Sequence, residues 1–141
     1  MTRRPWLIIV LVAIVAVFFA IIFLGADETK VNVLDDRVQI KGIYGVEFYL
    51  SEISGLNMIE KSMDEIGAGE NINSYSVTNG YVRGRFNKPG LGEILLFVEP
   101  KIAPTLWIER DGGEDIFISY KDGQKTELVY REILKAIDPP A

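Results

Sequence analysis

The chain has 141 residues, with 15 Lys and Arg against 20 Asp and Glu, 48% hydrophobic residues, no Cys and no His. The absence of thiols and imidazoles excludes a disulfide framework, thiolate zinc, iron–sulfur ligation, a Cys nucleophile and a histidine base. With Arg3 and Arg4 set aside, 13 basic residues face all 20 acids, a net of −7, which argues against nucleic acid or an anionic lipid surface as partners of the overall field.

All 19 residues from Trp6 to Leu24 are apolar, against 48 of the 117 residues from Gly25 onward. At about 1.5 Å per residue the run makes a helix of roughly 29 Å, close to the ~30 Å hydrocarbon core of a bilayer. It has no polar stripe, so the expectation is a transmembrane helix anchored by Trp6 and Leu24 at its ends. A cleaved signal peptide is the rival, but its apolar region spans about 7–15 residues and ends in small residues. Phe23-Leu24-Gly25-Ala26 offers no such pattern. Arg3 and Arg4 precede the run and Asp27, Glu28 and Lys30 come after it, which places the N-terminus in the cytoplasm and the domain outside. The expected organisation is a basic tail over 1–5, a bilayer span over 6–24, a linker over 25–29, one folded domain over 30–138 and a tail over 139–141, in a single-pass protein of the cell membrane. The folded part is long enough for one core and too short for two.

From Lys30 onward, short alternating runs separated by turn residues predict strands. Val31-Asn32-Val33-Leu34 leads through Asp35-Asp36 to Arg37-Val38-Gln39-Ile40-Lys41, with Val38 and Ile40 on one face. After Gly42 and Gly45 come Val46 to Leu50 and then Leu56 to Glu60, joined by Ser51 to Gly55. The stretch from Asp64 to Asn79 is rich in Gly and Asn and predicts the longest loop, a candidate recognition surface. Tyr81 to Phe86 and Glu93 to Glu99 predict a hairpin about Asn87-Lys88-Pro89-Gly90; Leu106 to Arg110 and Ile116 to Tyr120 predict another about Asp111-Gly112-Gly113. Val129, Tyr130, Ile133, Leu134 and Ile137 form one helical stripe, with Thr126 or Asp122 as cap and Pro139-Pro140 as stop. The predicted fold is mainly β: about seven antiparallel strands closed into a barrel and capped by one C-terminal helix.

The order of elements, with Ile40-Lys41-Gly42-Ile43-Tyr44-Gly45, Asn79-Gly80-Tyr81, Arg83-Gly84-Arg85-Phe86 and Gly92, resembles bacterial pleckstrin-homology-like domain proteins over about residues 30 to 137. The resemblance implies a membrane anchor followed by one PH-like barrel, and no assigned reaction. Phosphoinositide-binding members present Lys and Arg around the first two strands. Here Arg37 and Lys41 are offset by Asp35 and Asp36, a departure that argues against phosphoinositide binding.

Arg83 and Arg85 fall on one face of a strand with Lys88 in the adjacent turn, a candidate patch for a carboxylate or phosphate; pairing with acids such as Glu93 is the plainer alternative. Trp107 is a candidate ligand platform or a core aromatic. Asp111, Glu114 and Asp115 lack the spacing of a calcium loop, and no nucleophile, base or cofactor motif accompanies Glu47, Glu52, Asp64 and Glu65. The expectation is a non-enzymatic, membrane-anchored interaction or scaffolding module without cofactor or metal, acting on a protein partner. The alternative is a small-ligand or lipid-binding barrel, marked by an apolar cavity beneath the C-terminal helix.

Overall fold

The computed structural model describes residues 5–25, 28–42, 44–78 and 80–138. Arg3, Arg4, Asp27, Ile43, Asn79 and the tail over 139–141 lie outside the described residues. Helix α1 (Pro5–Gly25) is succeeded by strands β1 (Val31–Val33), β2 (Arg37–Ile40) and β3 (Val46–Tyr49), a single 3-10 turn (Leu50–Glu52) and β4 (Ile53–Ile59). Then come α2 (Met63–Ile66), β5 (Glu70–Thr78), β6 (Tyr81–Lys88), β7 (Gly92–Val98), β8 (Thr105–Arg110), β9 (Asp115–Ile118) and α3 (Gly123–Ile137).

Among the described residues nine strands form two sheets rather than the expected barrel of about seven: a meander β1-β2-β3 and a six-stranded sheet ordered β4-β8-β9-β7-β6-β5. Nor are they all antiparallel. Strand β9 turns back from β8 and inserts beside β7, pairing with it in parallel from Ile94↔Asp115 to Phe97↔Ile118. The physical reason the barrel fails lies in the central strands. Ile94-Leu95-Leu96-Phe97-Val98 and Ile116-Phe117-Ile118 are buried residue by residue, so both faces of the sheet are apolar and both must be covered. A small barrel would bury only its inner face.

Leu95, Phe97, Ile116 and Ile118 point to one side and pack with Val38, Ile40 and Phe48 of the small sheet and with Val129 and Ile133 of α3. Ile94, Leu96, Val98 and Phe117 point to the other, where Met63, Ile66 and Ala68 cover them. Helix α3 follows the predicted stripe, and its N-cap is Asp122, whose carboxylate accepts from the Gln124 amide at 2.9 Å. The buried Thr126 hydroxyl accepts from the Tyr120 amide at 3.1 Å and ties the helix to the end of β9.

Among the described residues no helix is long and apolar enough to cross a membrane. This overturns the expected span over 6–24 with Trp6 and Leu24 as anchors, and with it the single-pass, N-in/C-out placement at a cell membrane. The backbone of α1 is helical from Pro5 to Gly25. From Trp6 to Phe18 the described side chains are exposed.

The core under α3 predicts a specific cost. Ile133 is fully buried, so Ile133→Ala should lower unfolding stability by about 2–5 kcal/mol. A denaturant titration checks it, and a change under about 0.5 kcal/mol, the scale of a surface substitution, would show that α3 is not part of the cooperative core.

Candidate functional site

Three places in the fold have the makings of a site: a polar cluster where the chain enters the domain, a groove under α2, and the two free edges of the large sheet. The first is built on Thr29, which is buried. Its carbonyl accepts from the Tyr120 hydroxyl at 2.9 Å and its hydroxyl accepts from Arg83 Nε at 3.1 Å. Arg83 lies over the Tyr81 ring at 4.8 Å, and the Tyr81 hydroxyl donates to the Phe97 carbonyl at 2.9 Å. Lys125 lies over Tyr120 at 4.7 Å and 3.7 Å from Glu28. Burial pushes the Tyr81 phenol up to about 12, partly offset by Thr29 and Arg83, and pushes Tyr120 up as well. Both phenols therefore stay neutral and serve as donors, Tyr120 to the entering chain at Thr29 and Tyr81 to Phe97 in the core.

The predicted cationic trio is not assembled. Arg83 is buried in the polar cluster. Arg85 pairs with Glu114 at 3.4 Å rather than with Glu93. Lys88 belongs to the opposite face, where Nζ donates to the carbonyls of Ile66 at 3.3 Å and Gly67 at 2.6 Å, at the C-terminal end of α2. Trp107 stacks on Phe117 with ring centroids 5.8 Å apart and 6° between planes, and its Nε1 donates to Asp115 at 2.9 Å. It lies in the second core.

The acids have equally local work. Glu47 accepts from Arg37 at 2.7 Å and Gln39 at 3.1 Å, and these bonds hold its carboxyl below the ordinary range. Glu52 accepts from the Tyr49 amide at 2.8 Å. Glu65 completes a capping box with Ser62 at the start of α2. Asp115 accepts from the Arg110 amide at 3.2 Å as well as from Trp107. Among the described residues, no group of three or more His, Cys, Asp or Glu gathers where it could hold a metal ion.

The expected loop over Asp64–Asn79 is in its described part the short helix α2 and the edge strand β5. The capping-box spacing Ser62-x-x-Glu65 is the sequence signal that locates α2. Between α2 and the sheet lies a groove of about 410 Å³ with Met63, Val82, Phe86, Leu96 and Val98 on its walls and Asp64 at its rim. Gly69 closes one end; a Cβ there would run into the Asn87 carbonyl, and its φ of +82° favours glycine. Beneath α3, where the ligand-barrel alternative places its cavity, Val129 and Ile133 are packed into the core.

The two edges of the large sheet differ. Strand β5 pairs with β6 from Thr78↔Tyr81 to Tyr75↔Gly84, then jumps to Asn71↔Phe86, so two extra residues bulge out. Strand β4 has its irregularity at the start, between Ile53 and Gly55. Beyond it, Gly55, Leu56, Asn57, Met58 and Ile59 pair without interruption with Glu109, Ile108, Trp107, Leu106 and Thr105. This run contains neither charge nor proline, and its residues are half-buried. Asn57 Nδ2 donates to Glu109 at 3.1 Å. Just beyond the ends of β4, the Thr105 hydroxyl donates to the Lys61 carbonyl and the Asp111 amide to the Glu52 carbonyl, each at 2.8 Å.

Comparison with family models, with curated proteins and with solved structures gives no match to this chain.

The polar cluster makes a pH prediction. The Tyr81 pKa is raised in the folded state from 10.0 to about 12, so the stabilisation is fully present below about pH 10 and is lost as pH rises through about 12. Tyr81→Phe should cost about 1 kcal/mol at neutral pH, through the lost bond to Phe97, and make the alkaline fall in stability shallower. Thermal unfolding across that range checks it; an unchanged alkaline slope would show that this phenol does not carry the effect.

Proposed function

We propose that the protein is a non-enzymatic interaction module that takes an extended polypeptide segment onto the free edge of β4. The observation that carries this reading is the five-residue run Gly55–Ile59, paired without interruption on one side and terminal in the sheet on the other. An edge strand presents a row of backbone donors and acceptors, and proteins guard such rows with charge, proline or bulges. Strand β5 has its bulge in mid-strand; the paired run of β4 has none of the three guards. Strand addition satisfies the row through main-chain bonds, while alternate side chains supply selectivity. Ties just beyond both ends of β4 pre-form the edge, which lowers the cost of ordering it on binding. The excess of acid in the domain favours segments flanked by basic residues.

A nine-residue peptide of alternating valine and threonine with lysine at both ends tests the reading. It should bind with a Kd on the order of 10–100 μM, the range set by a short interface that pays its own ordering cost. Binding should protect the amides of β4 from hydrogen exchange, and Met58→Asp should weaken it by about tenfold or more, since a charge on the edge opposes pairing. Binding that leaves β4 unprotected, or that survives Met58→Asp, sinks the assignment.

One observation favours a second reading, a small apolar ligand. The groove under α2 has a volume of about 410 Å³ and walls of Met63, Val82, Phe86, Leu96 and Val98, within the usual range of ligand sites. An apolar fluorescent probe should brighten on binding there and be displaced by Ala68→Trp, which fills the groove. Equal brightening with the variant removes this reading.

A further inference from the structure

We infer that the segment taken up by β4 is β4 of a second copy of this chain, paired antiparallel about a two-fold axis through Asn57. The inference rests on the strand-addition reading and names its partner.

In an antiparallel pair of identical strands, residues directly opposite share a face, and the two-fold axis must pass through a residue paired with its own equivalent. For β4 that leaves three central choices. An axis at Leu56 sets Leu56 against itself and Gly55 against Asn57. An axis at Met58 sets Leu56 against Glu60, an apolar side chain against a charge. An axis at Asn57 sets Leu56 against Met58, Gly55 against Ile59 and Asn57 against Asn57.

The third register matches Leu56 with Met58 and Asn57 with its own equivalent. Leu56 and Met58 lie on the same face of the strand, and Leu56 packs against the main core on that face, so the opposed pair extends an apolar surface already present. On the other face Ile59 packs on the second core, and opposite it the Glu109 side chain of β8 lies over Gly55, where the far end of that flexible side chain has to move aside. Two amides meet at the axis, each able to donate to and accept from the other. No charge lies within the paired run of either copy. Past the run, Glu60 and Lys61 of one copy flank Ile53 and Glu52 of the other. The two six-stranded sheets would then join into one.

The contact is a single pair of strands, below the ~1,200 Å² of a standard specific interface, so the pair forms and separates with concentration. The chain contains no cysteine, which makes register readable by cross-linking. The full chain is kept in a mild nonionic detergent to cover the exposed apolar surface of α1, and single cysteines are oxidised with copper phenanthroline. Asn57→Cys places the two sulfurs on directly opposed residues, whose Cα spacing of about 4.5–5.5 Å suits a disulfide. Glu60→Cys places them six residues apart along the strand and serves as control. The expected result is cross-linking of Asn57→Cys at least tenfold faster than Glu60→Cys. Because Asn57→Cys also removes the bond to Glu109, a second measurement mixes Leu56→Cys with Met58→Cys chains, which should cross-link at least tenfold faster together than either alone. Equal rates in both comparisons would overturn the two-fold pairing. If the valine–threonine peptide still protects β4 in that case, the edge is an acceptor for other chains and only the second copy is lost; if it does not, the strand-addition reading falls with it.

Discussion

The parallel pairing of β7 with β9 is the constraint on which the rest of the fold depends. It places two strands with continuous apolar sequence side by side in the middle of a sheet, and so makes both faces of that sheet costly to leave in water. One face is met by a complete layer, the small sheet and α3. The other is met by a single short element: α2, its flanking residues and the side chains they lower onto Leu96 and Val98. The unevenness of the two covers explains why the groove is found on that face and the packed core on the other. It also explains Lys88, whose long stem crosses from β6 to hold the carbonyls at the end of α2. A four-residue helix has little stability of its own, so its position is set by that tether, by its capping box and by Met63 in the core.

A second constraint acts where α1 gives way to the sheets. Burying two tyrosines, an arginine and a threonine together is unfavourable unless each polar group finds a partner. Here the partners belong to different stretches of chain: the Thr29 carbonyl with Tyr120, its hydroxyl with Arg83, the Tyr81 hydroxyl with Phe97. The cluster joins the first residues of the domain to β6, to β7 and to the end of β9 at once. Arg83 is therefore part of the scaffold, and a cation that looks available in the sequence is spent on order.

How much of this is legible in the sequence depends on the range of the forces involved. Alternation locates strands wherever one face is buried, as with Val38 and Ile40 in β2, and the stripe of Val129, Ile133 and Ile137 locates α3, because both patterns are local. Strand β5 escapes the same reading: an edge strand with an interrupted ladder carries no strict alternation, and its Asn and Ser residues are those of a loop. The insertion of β9 between β7 and β8 leaves no local trace, since the turn at Asp111-Gly112-Gly113 is the same whichever neighbour the strand then finds. The expected barrel fails at this point. The destinations of Arg83, Arg85 and Lys88 fail for the same reason: a period of two tells that Arg83 and Arg85 share a face, but whether that face meets Thr29, Glu114 or solvent is decided by residues far away in the chain.

The contrast between the two edges is the step from fold to function. A sheet of six strands with both faces covered can still grow only at its ends, and the chain treats those ends differently. At β5 two extra residues break the ladder, twist the edge and leave only short paired runs, a common defence against unwanted pairing. At β4 the irregularity is pushed to the first residues, and the rest of the strand is a straight, uncharged run held from behind by β8 and fastened beyond both ends. An unguarded edge is a hazard for a solitary domain, and it becomes an asset when its neighbour is fixed by register. Leu56 against Met58 and Asn57 against Asn57 supply such a register, and a shift of the axis to Met58 replaces them with Leu56 against the charged Glu60. The same five residues that make the edge adhesive therefore also limit what adheres to it.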